Sequence, residues 1–220
     1  MSRTLPTARA LIRSLPKHKG SARKVRKTRL VLRNLARQVI LQAGPEATVE
    51  SVYPLLQNLW KSGGVEARHL ALHILEGFRD RLSASTWKLA DGWIDSLDDP
   101  SLTDGLANCV LGPVLERDRS FLKWLERWVR SRNLWRRRAA IETVRSLARI
   151  RRAYVPEIIL LGRIVAGDPT PVVQTSLGRA LGESARLAPT PVRQFLLQHR
   201  KVLSAVVRRE VTRGLPPSTD

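Results

Sequence analysis

The chain has 220 residues and carries 39 lysines and arginines against 19 aspartates and glutamates, a formal net charge of +20. Hydrophobic residues make up 43% and Cys109 is the single cysteine, so wholesale disorder and an internal disulfide are both excluded. No apolar run reaches the roughly 20 residues that a membrane-spanning helix needs; the best, at residues 158–165, is broken by Gly162 and Arg163.

The first acidic residue is Glu46, and 12 basic residues precede it, from Arg3 to Arg37. A surface this positive repels itself, and a polyanionic partner is the usual reason to tolerate it. Nucleic acid fits best, because neutralising phosphates releases their counterions. Residues 1–21 are set apart as a basic segment that either folds as a helix or wraps DNA as an arm. The segment also loosely resembles an organellar transit peptide, but DNA contact in the cytoplasm explains the same charges more simply.

Helical periodicity begins at Ala22 and runs to Ala43, with apolar residues at Val25, Leu30, Val31, Leu35, Val39 and Ile40 and arginines on the other face. Breakers then recur at Gly44-Pro45, Gly63-Gly64, Asp98-Asp99-Pro100, Gly112-Pro113, Gly167-Asp168-Pro169 and Pro189. About ten to twelve helices of about 12 to 20 residues fit between them, and no stretch alternates as a strand. The fold class is therefore all-α.

Helix starts are expected near Val65, Ser101, Leu134, Pro169 and Ser204, with gaps of 33 to 36 residues. That is close to the period of two-helix solenoid repeats, in which every second helix lines one concave face. Arg68, Asp104, Arg138, Gln174 and Arg208 then fall on that face, near the first turns of their helices. They either line a mostly basic groove holding one carboxylate or cap and brace the turns of a helical stack. Residues 22–215 form the repeat domain, and 216–220 a flexible tail.

No GxGxxG or Walker-type phosphate loop is present, and no Cys/His spacing suits zinc. His69 and His73 stand four apart but lack an HExxH glutamate, which makes them surface or packing residues. The densest signal runs from Asn133 to Ile141. Asn133 is a plausible N-cap. Arg136, Arg137 and Arg138 sweep most of a turn, so at least one points into the groove. Trp135 packs under a guanidinium stem or shields the site. Trp124 and Trp128, four apart on the preceding helix, read as core.

Leu59-Trp60-Lys61-Ser62-Gly63-Gly64-Val65-Glu66-Ala67-Arg68, followed by Ala71-Leu72, resembles a stretch of the DNA alkylation repair family, glycosylases built from HEAT-like repeats. Leu102-Thr103-Asp104-Gly105-Leu106-Ala107 is similar to the family's catalytic-aspartate segment. Gly112-Pro113, Trp128, the Trp135 to Ala140 segment and Arg208-Arg209-Glu210-Val211 follow in the family's order. The likeness spans most of residues 25–215.

The resemblance implies a HEAT-like helical-repeat solenoid with a concave basic groove, acting as a monomer on damaged or distorted double-stranded DNA. It implies hydrolysis of the N-glycosidic bond of cationic alkylated purines, without cofactor, metal or membrane. Asp104 matches the carboxylate that stabilises an oxocarbenium-like sugar, and nearby arginines are expected to keep it ionised. Arg138 matches the arginine that holds the backbone at the lesion, with Arg137 as the neighbouring alternative. Together with Trp135, DNA contacts are expected from Lys24, Arg26, Lys27, Arg68, Arg137, Arg179, Arg208 and Arg209. Two departures stand out. Pro100 occupies the place of a tryptophan four residues before the aspartate, and Arg179 and Gly182 replace a later tryptophan and arginine. Their loss favours an alternative, a non-catalytic relative that binds distorted or branched DNA. Trp93 is the nearest aromatic substitute in sequence.

Overall fold

The computed structural model describes residues 5–16, 22–62 and 64–217, with the side chains of residues 22–26 outside that description. The expected contacts from Lys24 and Arg26 therefore lie outside the described residues. Among those described, every regular element is helical, and no helix is long and apolar enough to cross a membrane. The chain divides into two compact units, Met1–Trp93 and Ile94–Asp220.

The first unit contains α1 (Ala8–Ser14), α2 (Ala22–Ala43), α3 (Tyr53–Ser62), α4 (Val65–Gly77) and α5 (Ala84–Ile94), the last running to the boundary. The Thr7 side chain caps α1 by accepting from the Ala10 N–H, and Leu11 is buried. Helix α2 packs against α4, and its buried stripe is Leu32, Ala36 and Val39, spaced four and three apart. That stripe is rotated from the expected one, because Leu30 is 55% exposed while Val31, Leu35 and Ile40 sit at its margins. In α3 and α5, Trp60 and Trp93 stack face to face, with centroids 4.1 Å apart and planes 7° apart. The Arg68 guanidinium lies over Trp60 at 5.5 Å.

The second unit contains α6 (Pro100–Leu106), a π-helical turn (Ala107–Leu111), α7 (Gly112–Arg117), α8 (Leu122–Trp128), α9 (Leu134–Ala148), α10 (Val155–Ile164), α11 (Pro171–Leu187), α12 (Pro189–Gln198) and α13 (Ala205–Gly214). Helix α9 is its hub and packs on α6, α7, α8, α10 and α11. The π-turn has a local cause: Pro113 has no N–H to donate, and its ring cannot sit under the carbonyl four residues earlier. The helix widens, and the Gly112 N–H reaches back to the Ala107 carbonyl.

Helices α11 and α13 approach closely enough for their backbones to touch. A Cβ on Gly182 would sit 2.6 Å from the Glu210 carbonyl oxygen, and one on Gly214 would overlap the Gly182 carbonyl. An arginine at position 182 would force these helices apart.

Four of the five expected helix starts fall within a residue of Val65, Pro100, Leu134 and Ala205, and the fifth is Pro171, so the gaps are 35, 34, 37 and 34 residues. The late start arises because Asp168, Pro169 and Thr170 form a capping turn, in which the Asp168 carboxylate accepts from the Thr170 N–H at 2.8 Å. The expected lengths suit α4, α9 and α11, whereas α8, α10 and α12 have 7, 10 and 10 residues. Short 3-10 turns such as Arg119–Phe121 and Arg152–Tyr154 take up part of those helices' share.

Candidate functional site

Two of the residues singled out from the sequence meet directly in the second unit. Helix α6 starts at Pro100, whose missing N–H is no loss at the first helical position, with Asp99 capping through the Ser101 N–H at 2.7 Å. One turn later Asp104 projects toward α9. Arg138 of α9 donates from Nη2 to Asp104 Oδ1 at 2.5 Å and from Nη1 to the Val172 carbonyl at 2.7 Å. Arg138 is 2% exposed, so its guanidinium is part of the interior, while the Asp104 side chain keeps 27% of its surface.

Behind this pair lies a buried ladder of charges. Glu142, fully buried one turn after Arg138, has Oε1 at 3.6 Å from Arg138 Nη2. The same oxygen accepts from Ser176 Oγ at 2.6 Å, and Oε2 accepts from Arg145 Nε at 2.6 Å. Arg145 continues to Glu183 Oε1 at 2.8 Å. At the solvent end, Arg179 Nη1 lies 3.5 Å from Asp104 Oδ2, with 47% of its side chain exposed. Three carboxylates thus alternate with three guanidinium groups; Arg179 and Asp104 at one end and Glu183 at the other keep contact with water, and the members between them are buried or nearly so.

This setting modifies the expectation that arginines alone keep Asp104 ionised. Burial pushes its carboxyl above the ordinary value, the negative charge of Glu142 adds to that, and Arg138 and Arg145 pull the other way without cancelling it. The alternative partner Arg137 is committed elsewhere. It donates to Asp168 at 2.5 Å, to the Ser131 and Arg132 carbonyls at 2.9 Å, and to Thr170 Oγ1 at 2.9 Å. Burial of Asp168 is outweighed by its bonds from Arg137 and Thr170, which hold its carboxyl below the usual range.

The remaining candidates are braces or exposed cations, and Arg208 is both. Arg68 donates to the Trp60 carbonyl at 3.4 Å, Gln174 to the Val165 carbonyl at 2.8 Å, and Arg208 to the Leu203 carbonyl at 2.5 Å. Each reaches back to the end of the preceding helix or loop, where backbone carbonyls lack intrahelical partners. Gln174 is 4% exposed and does not line a surface, so at this position the bracing reading is the correct one. Lys27, Arg179, Arg208 and Arg209 are exposed, and Arg68 is half-buried.

Asn133 caps α9 by accepting from the Trp135 N–H at 2.8 Å. Trp135 itself is half-buried. Guanidinium-on-tryptophan contacts in this region fall on its neighbours, Arg136 over Trp128 at 5.8 Å and Arg127 over Trp124 at 5.4 Å. Trp93 is 6% exposed and occupied by its stack on Trp60, which rules it out as a surface aromatic. His73 pairs with Glu76 at 3.0 Å.

Sequence reasoning missed Glu142, Arg145 and Glu183, and missed that Arg179 faces Asp104. A signal was present: Arg138, Glu142 and Arg145 are spaced four and three apart and share a helix face. That face is interior, which the spacing alone does not say.

The model of the DNA alkylation repair enzymes matches residues 27–215. None of the curated proteins is similar enough in sequence to match. Among solved structures, AlkD2 from Streptococcus mutans superposes with a TM-score of 0.67 at 16% identity, covering 94% of this chain and 95% of that one. A protein described as a predicted DNA alkylation repair enzyme from Enterococcus faecalis gives 0.73 at 14% identity over 93% and 100% of the two chains. Smu.31 of Streptococcus mutans UA159 gives 0.64 at 18% identity over 88% and 94%. At these identities the likeness is one of fold, an all-α chain of helical repeats.

Proposed function

The chain belongs to the DNA alkylation repair enzyme family, and on that premise we propose that it is a DNA glycosylase acting on cationic alkylated purines in duplex DNA. The observation that carries this reading is the state of Asp104. It is a partly exposed carboxylate, fixed on one oxygen by a buried arginine, with its other oxygen 3.5 Å from the exposed Arg179.

Such a group suits a reaction in which positive charge migrates. As the C1′–N bond of the damaged nucleotide breaks, its electron pair remains with the purine and cancels the charge that alkylation placed there. The sugar becomes oxocarbenium-like, and a fixed carboxylate beside it stabilises that charge. Water then adds to C1′ and gives up a proton, leaving an abasic deoxyribose. Every atom comes from DNA or water. Arg138 acts as a positioning residue, because it is anchored to the Val172 carbonyl and fixes the direction of Asp104. Exposed Lys27, Arg179, Arg208 and Arg209 supply phosphate contacts, which position DNA without reading its sequence.

A second reading, a protein that grips distorted or branched DNA without cleaving it, is favoured by Pro100 and Arg179. No aromatic side chain stands at either position to stack on a cationic base. The two are separated by measuring release of N3-methyladenine and N7-methylguanine from methylated duplex by the wild type and by Asp104→Asn. Release that collapses in the variant establishes the glycosylase. Binding to the same DNA without release establishes the second reading.

A further inference from the structure

Arg179 is mounted unlike its neighbours in the charge ladder. Its helix is pinned on either side of it, because a Cβ on Gly178 would meet Val207 Cα at 3.3 Å and one on Gly182 would meet the Glu210 carbonyl at 2.6 Å. The backbone is thus seated directly against α13, while the side chain is 47% exposed and pairs with Asp104 at 3.5 Å. Arg138 is the opposite case, buried and tied to two acceptors at 2.5 and 2.7 Å. One oxygen of Asp104 therefore has a permanent partner and the other a loosely held one on a long, flexible arm.

We propose that Arg179 is a displaceable latch on Asp104, drawn off its outer oxygen by a backbone phosphate of bound duplex DNA. An exposed guanidinium at this separation gains little from a carboxylate, whereas a DNA backbone offers it a denser line of negative charge. Without DNA, the latch occupies the oxygen that a cation would seek. With DNA, the guanidinium turns to the phosphate, gains a charge-assisted contact, and leaves the carboxylate open on that side. The same residue thereby acts as a phosphate contact and restricts the open carboxylate to the DNA-bound state. This inference rests on the DNA-repair reading but not on catalysis.

The test is a double-mutant cycle on binding, using a fluorescein-labelled duplex with one tetrahydrofuran abasic site and anisotropy over a range of salt. Wild type, Asp104→Asn, Arg179→Gln and the double variant are compared, with Arg179→Lys as a charge-preserving control. Asp104→Asn is expected to tighten binding about two- to fivefold by releasing Arg179, and Arg179→Gln to weaken it and lower the salt slope by about one. In the Arg179→Gln background the gain from Asp104→Asn is expected to vanish, and in Arg179→Lys to persist in part. An equal gain in both backgrounds would show that removing any nearby negative charge suffices, and would overturn the latch while leaving DNA binding intact. Absence of salt-sensitive binding by the wild type would overturn the DNA reading, and the latch with it.

Discussion

Replacing Glu142 with glutamine tests whether the charge ladder behind Asp104 is a working unit or an incidental cluster. Glu142 is fully buried and within 3.6 Å of both Arg138 and Arg145. Its charge is the shared, fully buried one between two guanidinium groups that water barely reaches, whose other partners, Asp104 and Glu183, are partly exposed. Breaking a buried pair from one side leaves an unbalanced charge and costs about 3–5 kcal/mol, against less than 1 kcal/mol for an exposed pair. Glutamine keeps the shape and can still accept from Ser176, so packing is nearly unchanged and the loss reports charge. For a chain of this size the expected drop in Tm is about 6–20 °C, at about 2–4 °C per kcal/mol. Circular dichroism melts measure that loss. A second readout separates structure from site. The negative charge of Glu142 raises the Asp104 carboxyl, so its removal should lower the Asp104 titration midpoint, as followed by carbon NMR of the side-chain carboxyl. A melt lowered by less than about 2 °C together with an unmoved Asp104 midpoint would refute the idea that Glu142 holds this site together.

Asp168→Asn tests the turn before α11. Because the folded carboxyl titrates below its unfolded value, its contribution is present above the ordinary carboxylate pKa and lost as pH falls through the depressed one. The variant should therefore melt lower than wild type at neutral pH and converge with it in acid; a constant gap at all pH values would argue against the ion pair with Arg137. In the first unit, Trp93→Ala removes half of the tryptophan stack, and a loss of about 3–5 kcal/mol is expected from denaturant unfolding. A loss under about 1 kcal/mol would mean that Trp93 is not the packing residue its burial implies.

The repeat architecture was legible because the expected helix starts recur every 33 to 36 residues, the length of a helix pair, and N-caps stand at two of them, Asn133 and Ser204. That Asp104 and Arg138 share one face was legible in the repeat spacing and their roles through family resemblance, but not their direct contact, since nothing in the intervening 33 residues requires them to touch. Two features were hidden for physical reasons. The exposure of an arginine depends on what packs over it, and Arg136, Arg137 and Arg138 look equivalent in sequence. Gly182 looked like a lost functional side chain, whereas the approach of α11 to α13 leaves no room for any side chain there.

The arginine run shows how a repeat that elsewhere only braces itself can carry a site. In three helix pairs a first-turn side chain, from Arg68, Gln174 or Arg208, reaches back to a carbonyl of the preceding segment. In the pair formed by α8 and α9, Arg137 takes that task and also staples Asp168, while Arg136 closes on Asp95 at 2.7 and 2.8 Å. Successive helical residues are separated by about 100°, so the third arginine points away from both partners and into the interior beside α6. Relieved of bracing, it meets Asp104 and the Val172 carbonyl instead. Arg137 already spends its donors on the Ser131 and Arg132 carbonyls, Asp168 and Thr170, so a separate arginine is left to hold Asp104. Arg137 and Arg138 thus divide two tasks, the first keeping the brace of the repeat and the second holding Asp104 in place.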